Sequence, residues 1–175
     1  MLQFYTEAFV GSRLRLVSQD ELDGENLAST DGNVILLPVV ACDYATEAEN
    51  FRFYKVALLH QLGFYEFGTF DFRFEDSPLA FTAFYRHFGH PALAALLFQL
   101  LEDARIDWQL GQAYRGIEGE LAWLKADALQ RRGDVVMQTV SGKMFESMVL
   151  TSLDGAVGSA SAELVTPIES LRDIM

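Results

Sequence analysis

The sequence predicts a mainly α, α+β protein: a multi-helix bundle around two central buried helices, with a small β hairpin or two-strand unit at its N-terminal end. Three observations carry that expectation. Residues 47–67 and the first three turns from Pro91 are apolar on nearly every side, as in helices buried inside a bundle. Glycine and proline punctuate the chain at helix-length intervals, at Gly68, Gly89, Pro91, Gly116 and Gly133. Strand-type patterning is confined to the residues before 45.

In that first region "SRLRLV" alternates apolar and basic residues, the period of a half-buried strand. "NVILLPVV" is a continuous run rich in branched residues, which suits a buried strand. Pro38 should end that strand, bulge it or place it at an edge. Between the two runs lies the acidic, turn-rich "DELDGENLASTDGN".

Thr46 and Glu49 have the T-x-x-E spacing of a capping box, so a helix should open there. It runs through "FRFYKVALLHQLGFYEF" and stops at Gly68. Phe53, Val56, Ala57, His60, Phe64 and Phe67 share one stripe, and Leu58, Leu59 and Leu62 fill much of the rest. In "GTFDFRFED", Phe70, Phe72 and Phe74 alternate with Asp71 and Arg73, as in a short strand or an aromatic loop. If exposed, the three rings form a candidate partner-binding surface.

Ser77-Pro78 reads as a helix start and Gly89 as its stop. Pro91 opens the second central helix, "PALAALLFQLLEDARIDWQLGQAY". Gly116 separates it from "IEGELAWLKADALQRR", which Gly133 closes. Asp134 is placed to cap a last helix ending at Asp154-Gly155. The reading is one helical domain over residues 1–154, with 155–175 a linker or the start of a further region.

Composition excludes several functions. Half of the 175 residues are hydrophobic and 14 are Phe, enough for a sizeable core. Against 25 acidic residues stand 13 basic ones, a net charge of -12, which repels nucleic-acid phosphates and anionic membrane surfaces. Cys42 is the one cysteine, so neither an internal disulfide nor a cysteine zinc site can form, and a cytoplasmic protein is expected. The N-terminal residues lack a basic start followed by an apolar run, and "PALAALLFQLL" is about half a membrane span. No P-loop, G-x-G-x-x-G or G-x-S-x-G is present. His87 and His90 flank Gly89 and read as capping or surface residues.

"HQLGF", residues 60–64, is where chemistry would be sought. A zinc peptidase helix reads H-E-x-x-H, with two imidazoles one turn apart and a glutamate base. Here His60 remains, Gln61 replaces the base and Phe64 the second ligand. An amide cannot take a proton from water, so peptidase chemistry is not expected. A peptidase-like frame would draw a third group from a later antiparallel helix, where "LLEDARID" supplies Glu102. The expectation is a structural polar core: His60 bonded to Glu102, with Arg105 holding the carboxylate. Asp103 and Asp107 fall on the polar side of the same helix, a solvated face or a docking face for a basic partner. No metal or cofactor is expected. The alternative is an atypical metal-dependent hydrolase using His60 and Glu102.

In order along the chain, "TDGNVILLPVV", "NFRFYKVALLHQLGFYEFGTFDF", "LFQLLEDARID" and "AYRGIEGEL" resemble blocks of the NorD/CbbO proteins. The third block also resembles, more distantly, the CobT subunit of cobaltochelatase. The resemblance covers residues 30 to 150. It implies a partner of a MoxR-type AAA+ ATPase, a CbbQ- or NorQ-like hexamer. CbbO-like proteins bring that ring to inhibited Rubisco; NorD-like proteins support maturation of nitric oxide reductase. In both, the target is met by a von Willebrand factor A domain marked by D-x-S-x-S, which is lacking here. The resemblance thus implies a non-catalytic adaptor domain from the region upstream of that adhesion domain, cut out or separately encoded.

Overall fold

The computed structural model describes residues 6, 15–19, 29–30, 34–38, 44–74, 77–78 and 80–154. Five α-helices account for most of them, so the protein is mainly helical with a small sheet. The chain's packing divides it into two compact units, residues 1–78 with 106–120 and residues 79–105 with 121–175. The proposed linker 155–175 and Cys42 lie outside the described residues.

The first unit contains the sheet. Strands β1 (Arg15–Gln19), β2 (Ser29–Thr30) and β3 (Val34–Pro38) lie in the order β1-β3-β2. β1 and β3 are parallel, from Arg15 opposite Val34 to Gln19 opposite Pro38. The two apolar runs therefore do not form a hairpin with each other. The antiparallel partner of β3 is the short β2, and Thr30 Oγ1 donates to the Val34 carbonyl at 2.8 Å. A strand paired on both sides and buried at Ile35 and Leu37 reads as a continuous apolar run, which is what "VILLP" shows. Pro38 ends it.

Helix α1 (Glu47–Glu66) starts at the expected capping box. Thr46 Oγ1 accepts from the Glu49 N–H at 3.2 Å, and Glu49 Oε2 accepts from the Thr46 N–H at 3.1 Å. Thr46→Ala is expected to lower stability by about 1 kcal/mol, measured by urea unfolding. At the other end the Phe67 N–H bonds the Gly63 carbonyl, and Gly68 turns the chain at φ 74°, a conformation glycine adopts without strain.

α1 packs on the sheet through Leu58 and Leu62, which form a core with Ile35 and Leu37. The Tyr54 hydroxyl donates to the Pro38 carbonyl at 2.6 Å, and the Tyr65 hydroxyl meets Thr30 Oγ1 at 2.7 Å. The buried residues of α1 are Val56, Ala57, Leu58, Gln61, Leu62 and Gly63. The stripe of Phe53, His60, Phe64 and Phe67 is only partly buried, because the sheet takes the leucine face instead.

A 3₁₀ turn, Thr69–Asp71, follows α1, and then β4 (Arg73–Phe74) pairs antiparallel with β5 (Ser77–Pro78). Ser77-Pro78 is therefore strand rather than helix start. In a two-strand ribbon a proline can face away from the ladder, so its missing N–H does no harm. The first unit closes with the C-terminal turns of α3 (Pro91–Ala113), a 3₁₀ turn at Arg115–Ile117 and the start of α4 (Glu118–Arg132).

The second unit holds α2 (Phe81–Tyr85), the rest of α3 and α4, and α5 (Val140–Asp154). α2 meets α3 through Phe81, Phe84 and Tyr85 around Phe98, with ring centroids 5.2, 6.2 and 5.8 Å away. α4 ends at Gly133, φ 63°. α5 begins later than expected. Asp134 is not its cap; Thr139 Oγ1 accepts from the Gly142 N–H at 3.0 Å and opens the helix there. The stretch from Gly133 to Gln138 carries no helix, consistent with the poor helix preference of Val135-Val136.

α4 and α5 are joined by a two-pronged ion pair. Arg132 Nε and Nη2 donate to the two Glu146 carboxylate oxygens at 2.9 and 2.6 Å. This hydrogen bonding holds the Glu146 carboxyl below its ordinary range and the Arg132 guanidinium above its own. A carboxyl depressed by folding stabilises the folded state fully above its unfolded pKa, about 4.3. That contribution fades as pH falls through the lower folded value. Glu146→Gln is expected to lower the urea midpoint at pH 6 while losing less further stability than the parent between pH 5 and 3.

The N-terminal half of α3 departs from expectation. Its first turns are not buried all round: Leu93 is 42% and Leu96 54% exposed. The buried residues of α3 are Ile106 and Leu110, towards its other end.

Candidate functional site

Of the residues expected to carry chemistry, His60, Gln61, Phe64 and Asp107 lie in the first unit, where α1 meets the end of α3, while Glu102 and Arg105 belong to the second. The contact is close because position 63 has no side chain. A Cβ there would stand 2.6 Å from Ile106 Cγ2 and 3.5 Å from Leu110 Cδ1. Around this point His60 meets Asp107, Gly63 meets Ile106 and Leu110, and Glu66 meets Tyr114. The partners climb together along both segments, so these run in the same sense rather than antiparallel.

His60 Nδ1 lies 2.8 Å from Asp107 Oδ1, with both side chains mostly buried. The Phe64 ring stands edge-on to the imidazole, centroids 5.2 Å apart at 81°. The residue where H-E-x-x-H needs its second ligand is thus a packing partner of the first. Gln61, where the base would be, faces the buried side of α1.

His60 Nδ1 thus takes Asp107 as a partner, a residue the sequence placed on the polar side of the helix. Glu102 is gripped by Arg105 on its own helix, at 2.8 Å through Nε and 2.6 Å through Nη2. That grip raises the Arg105 pKa, and the Glu102 charge helps burial raise the Tyr85 hydroxyl's. Arg105 thus holds the carboxylate as expected. Asp107 turns to the imidazole and is mostly buried. Asp103, one turn earlier, is partly buried. Asp107 is brought to the imidazole by its neighbour Ile106, the residue seated over Gly63.

The aromatic segment is partly exposed, with Phe70 at 36%. Phe70 packs against Tyr65 with centroids 4.8 Å apart, and Phe72 and Phe74 are partly buried. His87 Nδ1 bonds the carbonyls of Ala83 and Phe84 at the end of α2, the capping use expected of it.

One polar cluster of this unit was not read from the sequence. Arg52 and Lys55, one turn apart on α1, both reach Glu120, Lys55 at 3.4 Å. The Arg52 hydrogen bond, helped by the Lys55 charge, holds the Glu120 carboxyl below its ordinary range. The spacing of Arg52 and Lys55 was visible; the acid that joins them is far along the chain.

In the second unit an open groove of about 580 Å³ runs beside α4 and α5, lined by Ala122, Lys125, Ala126, Leu129, Gln130, Ser152 and Leu153. It offers one ammonium over an apolar floor and no pair of acid–base groups. Among the described residues no three His, Cys, Asp or Glu side chains come together as metal ligands would. No described helix is long and apolar enough to cross a membrane. Comparison with protein-family models, curated proteins and solved structures finds no match for the chain.

What the α1–α3 contact does chemically is bury and orient a histidine–aspartate pair. Removing one partner leaves the other short of a bond in a mostly buried place, which costs about 1–3 kcal/mol. His60→Ala and Asp107→Ala are each expected to lose that much. The double variant should lose clearly less than the sum, by thermal or urea unfolding of all four proteins.

Proposed function

We propose that the chain is a non-catalytic adaptor domain that docks a MoxR-type AAA+ ATPase and helps couple it to a target enzyme, Rubisco by preference. The observation that carries this reading is the use made of the peptidase-like helix. Its histidine is committed to Asp107 and Phe64, and its base position is the amide Gln61. Residues placed for hydrolysis in a zinc peptidase are here spent on holding two helices together. The block-by-block likeness to NorD/CbbO proteins supports the same reading, while the parallel run of α1 and the end of α3 departs from a zinc-peptidase-like frame with its antiparallel helix.

The test is co-purification with a hexameric CbbQ- or NorQ-like ATPase, with ATP, with ADP and without nucleotide. Nucleotide-dependent retention of the chain on the ring is the expected result. A chain that passes through in all three states, while binding zinc stoichiometrically and losing it in His60→Ala, would transfer the weight to a hydrolase. The target follows from the same assay with Rubisco or nitric oxide reductase added.

A further inference from the structure

Within the second unit, the N-terminal half of α3 carries an apolar face that is partly exposed among the described residues. Leu93, Leu96, Leu97 and Leu100 follow the i, i+3, i+4, i+7 spacing of one helix stripe. Leu93 and Leu96 are 42% and 54% exposed, and Leu97 and Leu100 are partly buried beside them. Phe98, turned well away from this stripe, is the residue that packs on the α2 aromatic cluster. The stripe is therefore not the face α2 covers. Phe88, in the turn entering α3, is also 47% exposed.

The charge around this face is unlike the rest of the chain. The protein carries 25 acidic residues, yet none occurs from Ser77 to Leu101. That stretch holds Arg86, His87 and His90, all exposed and all just ahead of α3. An exposed leucine stripe entered from a basic turn, with the nearest following carboxylates, Glu102 and Asp103, only past its last leucine, in a chain of net charge -12, is a local exception in both hydropathy and sign.

We propose that the leucine face of the first half of α3 seats an amphipathic helix of a partner protein, apolar on one side and acidic on its flanks. Leucines at this spacing receive the i, i+3, i+4 and i+7 side chains of a second helix. The absence of carboxylates from Ser77 to Leu101 lets acidic flanks approach without repulsion there, and Arg86 attracts them. A second copy of the chain fits less well, since it would bring the same basic turn against itself. An anionic lipid surface fits less well too, because the whole chain is strongly acidic.

The experiment presents a displayed library of random 16-residue peptides to the full chain and measures the recovered peptides by fluorescence anisotropy. The expected peptides carry Leu, Ile or Phe at i, i+3 or i+4 with Asp or Glu between them. Leu93→Ser with Leu96→Ser should weaken them about tenfold or more, as loss of central anchors does. Arg86→Glu, a surface change in a turn, should weaken them several-fold and remove most of the salt dependence. Val136→Ser, at a residue 78% exposed elsewhere in the same unit, should leave them unchanged. Circular dichroism melts of each variant separate lost binding from lost folding. Three results would each overturn the proposal: no enriched peptides, enriched peptides without acidic bias, or equal binding by the leucine variant. So would a dimer of the chain, or its capture by anionic vesicles, that the leucine variant abolishes.

Discussion

Ile106→Ala is expected to destabilise the protein by about 3–4 kcal/mol, read as a fall in the urea midpoint without a change in slope. Ile106 is fully buried, and its γ2 methyl fills the notch left by Gly63. Deleting it removes apolar burial and leaves a cavity where the two helices touch. The partner change tests whether that contact is the cause. Gly63→Ala gains about 1 kcal/mol of helix preference. It also drives a Cβ to within 2.6 Å of a β-branch methyl that cannot swing aside. Overpacking of this kind costs about 1–3 kcal/mol, so the single change should be destabilising on balance. In the Ile106→Ala background the obstructing methyl is gone and the new Cβ fills part of the cavity. Gly63→Ala should then be neutral or stabilising. A double variant as unstable as the sum of the two singles would mean that Gly63 serves something other than close helix approach.

That contact also shows where sequence reading reached and where it stopped. The ends of α1 were legible because capping is local: Thr46 and Glu49 are three residues apart, and Gly68 needs only its own φ. The existence of α3 and α4 was legible for the same reason, through Pro91, Gly116 and Gly133. Which side of each helix faces inward was not legible. α1 is apolar on several faces, and only the sheet, formed from residues more than ten positions earlier, selects Leu58 and Leu62 over Phe53 and Phe64. The candidate site was legible only in part for a related reason. Arg105 holding Glu102 is a pair within one turn, and spacing finds such pairs. His60 choosing Asp107 depends on how far α3 has advanced when it meets α1, which Gly63 and Ile106 decide and no local pattern records. The parallel pairing of β1 and β3 was hidden in the same way, since the apolar runs fit either direction.

The dependence of the sheet on α1 leads to the second large effect. Leu62 is fully buried and belongs to the core that holds Ile35 and Leu37 of β3. Leu62→Ala is expected to cost about 2–5 kcal/mol, against about 0.5–1.5 kcal/mol for Ile35→Val in the same cluster. The sheet is small, with two strands of five residues and one of two, and such sheets need a packed face to persist. The loss should therefore be unequal along the chain. Backbone amides of β3 should exchange with deuterium markedly faster in Leu62→Ala, because the leucine is what seats that strand on the helix. Amides of α5, whose tie to α4 runs through Arg132 and Glu146, should change less. Equal acceleration in β3 and α5 would mean that the chain opens as one cooperative body. A fast β3 beside a protected α5 would make the sheet and α1 a folding unit of their own, with Leu62 as its anchor.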